Sequence, residues 1–207
     1  MRIVVISDTH GQHEQLQLPV GDILIHAGDI TQQGSLQEIA EFNAYLADVD
    51  FKHKIIIAGN HDFCFQETPK QARQLISNAY YLEDEALILD HLKFYGSPWQ
   101  PFFFNWAFNL ERGAEINAKW QMIDVDTDVL ITHGPAFGFG DKVCSGQQVG
   151  CEDLLDKILD IKPRYHVFGH IHENPGMWNN QDTIFINASI CNADYQAKNK
   201  VIVFDID

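Results

Sequence analysis

The stretch Arg2-Ile3-Val4-Val5-Ile6-Ser7-Asp8-Thr9-His10-Gly11 decides how this chain folds. Its first half, Arg2–Ile6, is apolar on both faces, the pattern of a strand buried in a sheet that is covered on both sides. Its second half turns abruptly polar at Asp8 and His10. Taken alone, an Asp-x-His of this kind reads as an ordinary turn. What gives it weight is that the same sentence is repeated along the chain.

Asp22–His26 is a second apolar run, and it stops at Gly28-Asp29. Lys54–Ala58 is a third, followed by Gly59-Asn60-His61-Asp62. Asp128–Thr132 runs into His133-Gly134, and Tyr165–Phe168 into Gly169-His170-Ile171-His172. In the last of these, two histidines at i and i+2 reach the same side of extended chain. Strands that finish in carboxylate, amide and imidazole place those groups at their carboxyl ends, where the ligand crevice opens in α/β sheets. Five turns choosing such donors independently is a poor account of the pattern.

Between the runs lie helical spacings. Leu36, Ile39, Ala40, Phe42 and Leu46 share a helix face over Ser35–Leu46, with Ser35 as N-cap. Pro69–Ile76, Ala114–Ile123 and Glu152–Ile161 are further helices, the last stopped by Pro163. Ala86–Leu89 and Leu92–Tyr95 pair as a hairpin; Thr183–Ile186 and Val201–Asp205 are closing strands. Early strands alternate with helices and later ones crowd together. The expectation is an α/β fold (α+β by some schemes), two packed mixed β-sheets flanked by helices, forming a single domain over 1–207.

The donor types specify a chemistry. Carboxylate with imidazole suits manganese, iron, zinc or nickel, and the absence of thiolate argues against a closed structural zinc site. Two ions held about 3.5–4 Å apart need a bridging ligand and an open face for solvent. An Asp bridges with its two oxygens, and an Asn carboxamide adds a donor without adding charge. Such a pair brings a bridging water towards neutral pKa, giving hydroxide as nucleophile near pH 7.

Bulk properties narrow the substrate. A formal net charge of -15 opposes binding to a long nucleic acid, which needs Lys and Arg to release counterions, but not to a small anion at a metal site. Cys64, Cys144, Cys151 and Cys191 fit neither a zinc ribbon nor a disulfide scaffold, so reduced thiols and a cytoplasmic location are expected. Met1–Gly11 lacks the features of a signal peptide, and no window approaches the ~20 apolar residues of a membrane span. Asp124–Asp128 imitates the start of a calcium loop but has Val129 where such a loop needs glycine. The oligomeric state stays open, a homodimer among the options.

The order DxH, GD, GNHD, H, GHxH resembles that of the calcineurin-like metallophosphoesterases. The resemblance implies that family's sandwich fold and a dinuclear centre, with Asp8, His10, Asp29 and His172 on one metal and Asp29, Asn60, His133 and His170 on the other. It places His61 as the non-ligand histidine that orients the phosphate and protonates the leaving oxygen, with Asp62 set to fix the His61 tautomer. Phe94–Trp99, Trp106–Leu110, Thr132–Pro135, His166–Gly169 and Asn187–Ser189 look like the brain-type metallophosphoesterase-domain proteins of animals. That likeness implies hydrolysis of phosphodiesters, cyclic nucleotides such as the 2′,3′-cyclic forms, by in-line attack of a metal-bridging hydroxide. Some animal members replace the first histidine of GHxH; this chain keeps His170. Related protein phosphatases follow GD with Asp-Arg-Gly, whereas here Ile30-Thr31-Gln32 follows, removing a clamp for a dianionic monoester. The alternatives are a phosphomonoesterase or small nuclease on the same scaffold, or a binding protein without turnover.

One segment fits two readings. Trp99–Phe108 is rich in aromatics: either a wall on which a nucleobase stacks, or a buried satellite cluster or oligomer interface. Substrate contacts are accordingly expected at Trp99 and Phe103, and at Phe137 in the glycine-rich stretch after His133.

Overall fold

In the computed structural model, which describes residues 1–207, thirteen strands and five helices follow one another along the chain. The first sheet takes β1 (Arg2–Ile6), β2 (Ile23–His26), β3 (His53–Ile56), β4 (Tyr80–Tyr81) and the last strand, β13 (Ile202–Asp205), in the order β13-β1-β2-β3-β4. The second takes β5 (Glu85–Leu89), β6 (Leu92–Ser97), β9 (Val129–Thr132), β10 (Tyr165–Phe168), β11 (Gly176–Asn179) and β12 (Ile184–Asn187), ordered β11-β12-β10-β9-β6-β5. A small ribbon, β7 (Gln100–Pro101) with β8 (Asn109–Leu110), stands apart. The interior strands of both sheets run parallel; β13, β5 and β11 pair antiparallel. Both sheets are therefore mixed, as expected.

The two-residue period of a strand sorts side chains between layers. Ile3, Val5, Ile23, Ile25, Ile55 and Ile57 face Phe94, Val129, Ile131, Val167 and Ile186 across the gap between the sheets. Their neighbours point outward: Val4, Ile6, Leu24 and Ile56 pack under α1 (Leu36–Asp48), α2 (Phe63–Glu67) and α3 (Pro69–Leu75). On the other side, Tyr95, Leu130, Phe168 and Phe185 pack under α4 (Ala114–Trp120) and α5 (Glu152–Ile161). The result is four layers, helix–sheet–sheet–helix, which explains why the strands read as apolar on both faces.

Local signals act where the sequence puts them. At α1, the Glu38 backbone N–H donates to Ser35 Oγ (3.3 Å) and the Ser35 N–H to the Glu38 carboxylate (3.0 Å), a reciprocal cap that contributes about 1 kcal/mol. Helix α5 ends at Ile161, two residues before Pro163: Lys162 caps it in the left-handed conformation, the right-handed helical region being disfavoured for the residue before a proline. The strands β4, β7 and β8 and the one-turn α2 are too brief to show a period, and β11, an edge strand with no buried residue, lacks the apolar run that marks the others. The four cysteines form no disulfide, and no helix is long and apolar enough to cross a membrane.

What matters for chemistry is direction. The parallel strands β1, β2, β3, β9 and β10 all end at the same rim, and Ile190 N–H donates to Ser7 O (2.9 Å) to join the two sheets there.

Candidate metal centre

At that rim the structure brings together all seven expected ligands and His61. Donor atoms of Asp8, His10 and His172 lie within 4.8 Å of one another, as do those of Asp8, Asp29 and His133, and those of His10, Asp29 and His61. Asp29 Oδ2 stands between the two sides, 3.7 Å from His10 Nε2 and 3.4 Å from His133 Nε2. His172 Nε2 is 3.4 Å from Asp8 Oδ1. Asn60 Oδ1 is 3.0 Å from His133 Nε2 and 2.7 Å from His170 Nδ1, closing the second side.

Holding these groups strains the backbone. Asp8 (φ 53), His10 (φ 43), Asp29 (φ 55) and His170 (φ 67) are all left-handed, a conformation that costs a non-glycine residue about 1–3 kcal/mol. Glycines make the approach possible. A Cβ on Gly169 would strike the Asp8 carboxylate and Ser7 Oγ; one on Gly59 would strike Asp29. The glycines of the GNHD and GHxH motifs are thus demanded by ligands from other strands, which no local reading reveals.

The polar partners show what the cluster is for. His133 Nδ1 can only donate to Ala27 O (3.0 Å), and His172 Nδ1 to Asn192 O (3.2 Å), so in the neutral rings both Nε2 atoms carry a lone pair. Those lone pairs face Asn60 Oδ1 and the Asp8 and Asp29 carboxylates, acceptor against acceptor. His10 Nε2 and His172 Nε2 are only 3.3 Å apart. Such a set is satisfied by a positive charge at its centre, either a proton or a cation. Burial pulls His133 down, yet Asp29 and Asp8 outweigh it and push its pKa up to about 9. Burial likewise raises Asp29, but His133, His10 and His61 hold its carboxyl well below the usual range. The donor set fits divalent metal ions: fully buried carboxylates, locked imidazole tautomers and a neutral amide oxygen, with no thiolate.

His61 stands beside this cluster, its ring 4.5 Å from that of His10. Its Nδ1–H donates to Gln32 O (3.0 Å) and its backbone N–H to Asp29 Oδ1 (2.7 Å). Asp62 does not fix this tautomer, contrary to expectation. Its carboxylate is turned away, accepting from the N–H groups of Gly59, Ile30 and Thr31 and from Thr31 Oγ1, at 2.8–3.2 Å. It ties the loop after β2 to the loop after β3, and the Gln32 carbonyl does the work assigned to it.

A cavity of about 480 Å³ opens over the cluster, lined by Asp29, Asn60, His61, His170 and His172 below and by Pro101, Phe102, Phe103, Trp106 and Tyr195 at the sides. Phe103 is in the wall, as expected, its ring 6.1 Å from His170. Trp99 is not. Its Nε1–H donates to Asp84 (2.8 Å), Lys119 Nζ sits 4.4 Å over its ring, and it wedges between two core clusters. Phe137 is not in the wall either; the glycine-rich stretch reaches it only through Gly134 and Pro135. The aromatic segment therefore divides: its two ends, Trp99 and Phe108, pack together against the core, and its middle lines the cavity. Trp106, Tyr195 and Arg112 were overlooked. Trp106 lay within the quoted segment, but Tyr195 and Arg112 carry no local signal. Arg112 lines the cavity while its guanidinium donates to the carbonyls of Gly150 (2.8 Å) and Val149 (2.7 Å).

Residues 1–174 match the profile of the Calcineurin-like phosphoesterase family. The chain is 40% identical to the human metallophosphoesterase domain-containing protein 1, covering 99% of this chain and 71% of that protein. It is 39% identical to a UPF0046 protein of Caenorhabditis elegans, across 100% of this chain and 60% of the relative. Among solved structures, TT1561 of Thermus thermophilus superposes with TM-score 0.66 at 11% identity, over 99% of this chain and 98% of that one. The phosphopantetheinyl hydrolase of Mycobacterium tuberculosis gives 0.63 at 14%, over 93% and 90%. These two share the fold.

Proposed function

The chain belongs to the calcineurin-like phosphoesterase family, a family of metal-dependent hydrolases, and from that premise we propose that it hydrolyses small phosphodiesters, 2′,3′-cyclic nucleotides among them, at a dinuclear centre. The observation that carries this reading is the position of Asp29 Oδ2, within 3.7 Å of imidazoles on both sides. In this reading Asp8, His10, Asp29 and His172 hold one divalent cation and Asp29, Asn60, His133 and His170 the other. When bound, the pair supplies Lewis acidity and a water-derived nucleophile near neutral pH.

The chain's own residues do the rest. His61, anchored by Gln32 at Nδ1–H, turns Nε2 to the substrate. As the imidazolium, with both nitrogens protonated, it hydrogen-bonds a phosphate oxygen through Nε2–H and gives that proton to the leaving oxygen, ending as the neutral ring with Nδ1–H still on Gln32. Phe103 offers a face for a base. Ile30 and Thr31, standing where related protein phosphatases carry aspartate and arginine, leave a dianionic monoester without that clamp, which favours the monoanionic diester. Displacement in line inverts phosphorus in one step.

The test is a panel of bis-p-nitrophenyl phosphate, p-nitrophenyl phosphate and 2′,3′-cyclic AMP after reconstitution with manganese, iron, zinc, nickel or cobalt. Diester turnover should exceed monoester turnover. A faster monoester reaction sinks the diester reading, and no turnover with any metal sinks catalysis itself.

A further inference from the structure

Trp106 is the residue of the aromatic segment with a use that stacking on substrate does not cover. Its indole lies against the His61 imidazole, centroids 4.2 Å apart and planes 28° from parallel. Phe63 packs beside the indole at 5.9 Å. The backbone on either side is pinned. The Ala107 N–H donates to Asn60 O (3.1 Å), tying the segment to the loop that carries His61, and Phe108 N–H is bonded to Gln66 Oε1. Phe104 (φ 47) and Phe108 (φ 55) take left-handed turns that bracket the indole. This is a braced platform, with one face already occupied by a histidine.

We infer that Trp106 is a positioning residue, which together with the Gln32 carbonyl holds the His61 imidazole so that Nε2 meets the leaving oxygen of the substrate. The two restraints are complementary. Gln32 O anchors Nδ1–H, so that the proton given up by the imidazolium is the one on Nε2, but it leaves the ring plane free to rock about that anchor. The indole face, at van der Waals distance, removes that motion. An imidazole held in one plane meets the geometric demand of proton donation, which tolerates little misplacement. The inference rests on His61 being the general acid proposed above.

Leaving-group dependence tests it, because a p-nitrophenolate departs without a proton whereas a phenolate gains from one. kcat is measured for a series of aryl methyl phosphates, from p-nitrophenyl to phenyl, on the metal-reconstituted full chain. For Trp106→Leu the loss in kcat should grow with the pKa of the leaving phenol, reaching about tenfold or more at phenyl. Trp106→Phe, which keeps a stacking face, should restore most of it. His61→Asn should show the same trend more steeply, with metal content near that of the parent.

A uniform loss across the series in Trp106→Leu, or a change confined to KM, overturns the positioning role. Should Trp106→Leu fold poorly, Trp106→Met, which keeps bulk but no aromatic face, carries the test: a flat loss there overturns it equally. A flat series in His61→Asn instead removes the general acid, and both ideas fall, whereas retained steepness in His61→Asn with a flat Trp106→Leu rejects only the platform.

Discussion

Ile3 and Asp8 are fed by the same strand, and they obey opposite rules. Ile3 lies between the sheets with no exposed surface, surrounded by Ile, Val and Phe in regular geometry. Asp8, equally buried, is a carboxylate in a left-handed turn, facing imidazole and another carboxylate. The first region is built for stability, since every buried methylene adds to it. The second spends stability, because buried charge and left-handed backbone are each unfavourable. It persists because the strands beneath leave it no alternative. The lesson is a division of labour along single strands: β1, β2, β3, β9 and β10 each place apolar residues in the core and then candidate ligands at the rim.

The sharpest way to break this contrast is Asp29→Ala. Metal analysis should find the dinuclear complement lost, and turnover should fall by at least about a thousandfold, a size expected when a charged group central to electrostatic stabilisation is removed. Retention of two metals would refute the bridging role. The counterpart in the core is Ile3→Ala. Denaturant unfolding should show a loss of about 2–5 kcal/mol, with metal stoichiometry unaltered. If both variants lose metal and stability alike, the two regions are not separable.

Gly169→Ala probes the seam between them. The added methyl would meet the Asp8 carboxylate, so metal affinity should drop by roughly 10–100-fold, the range seen when ligand orientation is disturbed, with a smaller effect on folding. Titration of metal-free protein measures it; unchanged affinity would show that the loop yields freely.

The smallest effect is on acid stability. His166, in β10 of the second sheet, is fully buried against Phe168 and Phe185, its Nε2 2.7 Å from Thr132 Oγ1 and its Nδ1 without a partner. Burial pushes its pKa down to about 3. The folded state thus prefers the neutral ring, and its contribution is fully present above the unfolded value near 6.5. It is lost as pH falls from there towards 3, at about 1.4 kcal/mol per pH unit. His166→Gln, which keeps a donor but does not titrate, should flatten the fall in urea-unfolding stability between pH 7 and 5. An unchanged slope would place the acid sensitivity elsewhere, with His26, also pushed down to about 3 by burial, next in line.

Several elements were legible because their cause is local. Arg2–Ile6, Tyr165–Phe168 and Glu152–Ile161 coincide with their expected bounds, each specified by its own apolar period and its own stop. The convergence of the candidate metal donors was legible for a related reason, as each follows a buried strand whose carboxyl end lies at the shared rim. Trp99 shows where that logic ends. It and Trp106 belong to one aromatic run, yet Asp84 and Lys119 draw the first into the structure's interior while His61 receives the second.

The sequence by itself determined the strand–helix alternation, the two-sided burial of the strands and which polar groups stand at the strand ends, because periodicity and residue chemistry are properties of neighbours along the chain. Only the tertiary structure decided that Gln32 rather than Asp62 orients His61, that Trp106 and Tyr195 flank the site and that Trp99 does not. Those outcomes depend on which distant loops meet at the rim, and a contact between residues far apart in sequence leaves no mark on either one alone.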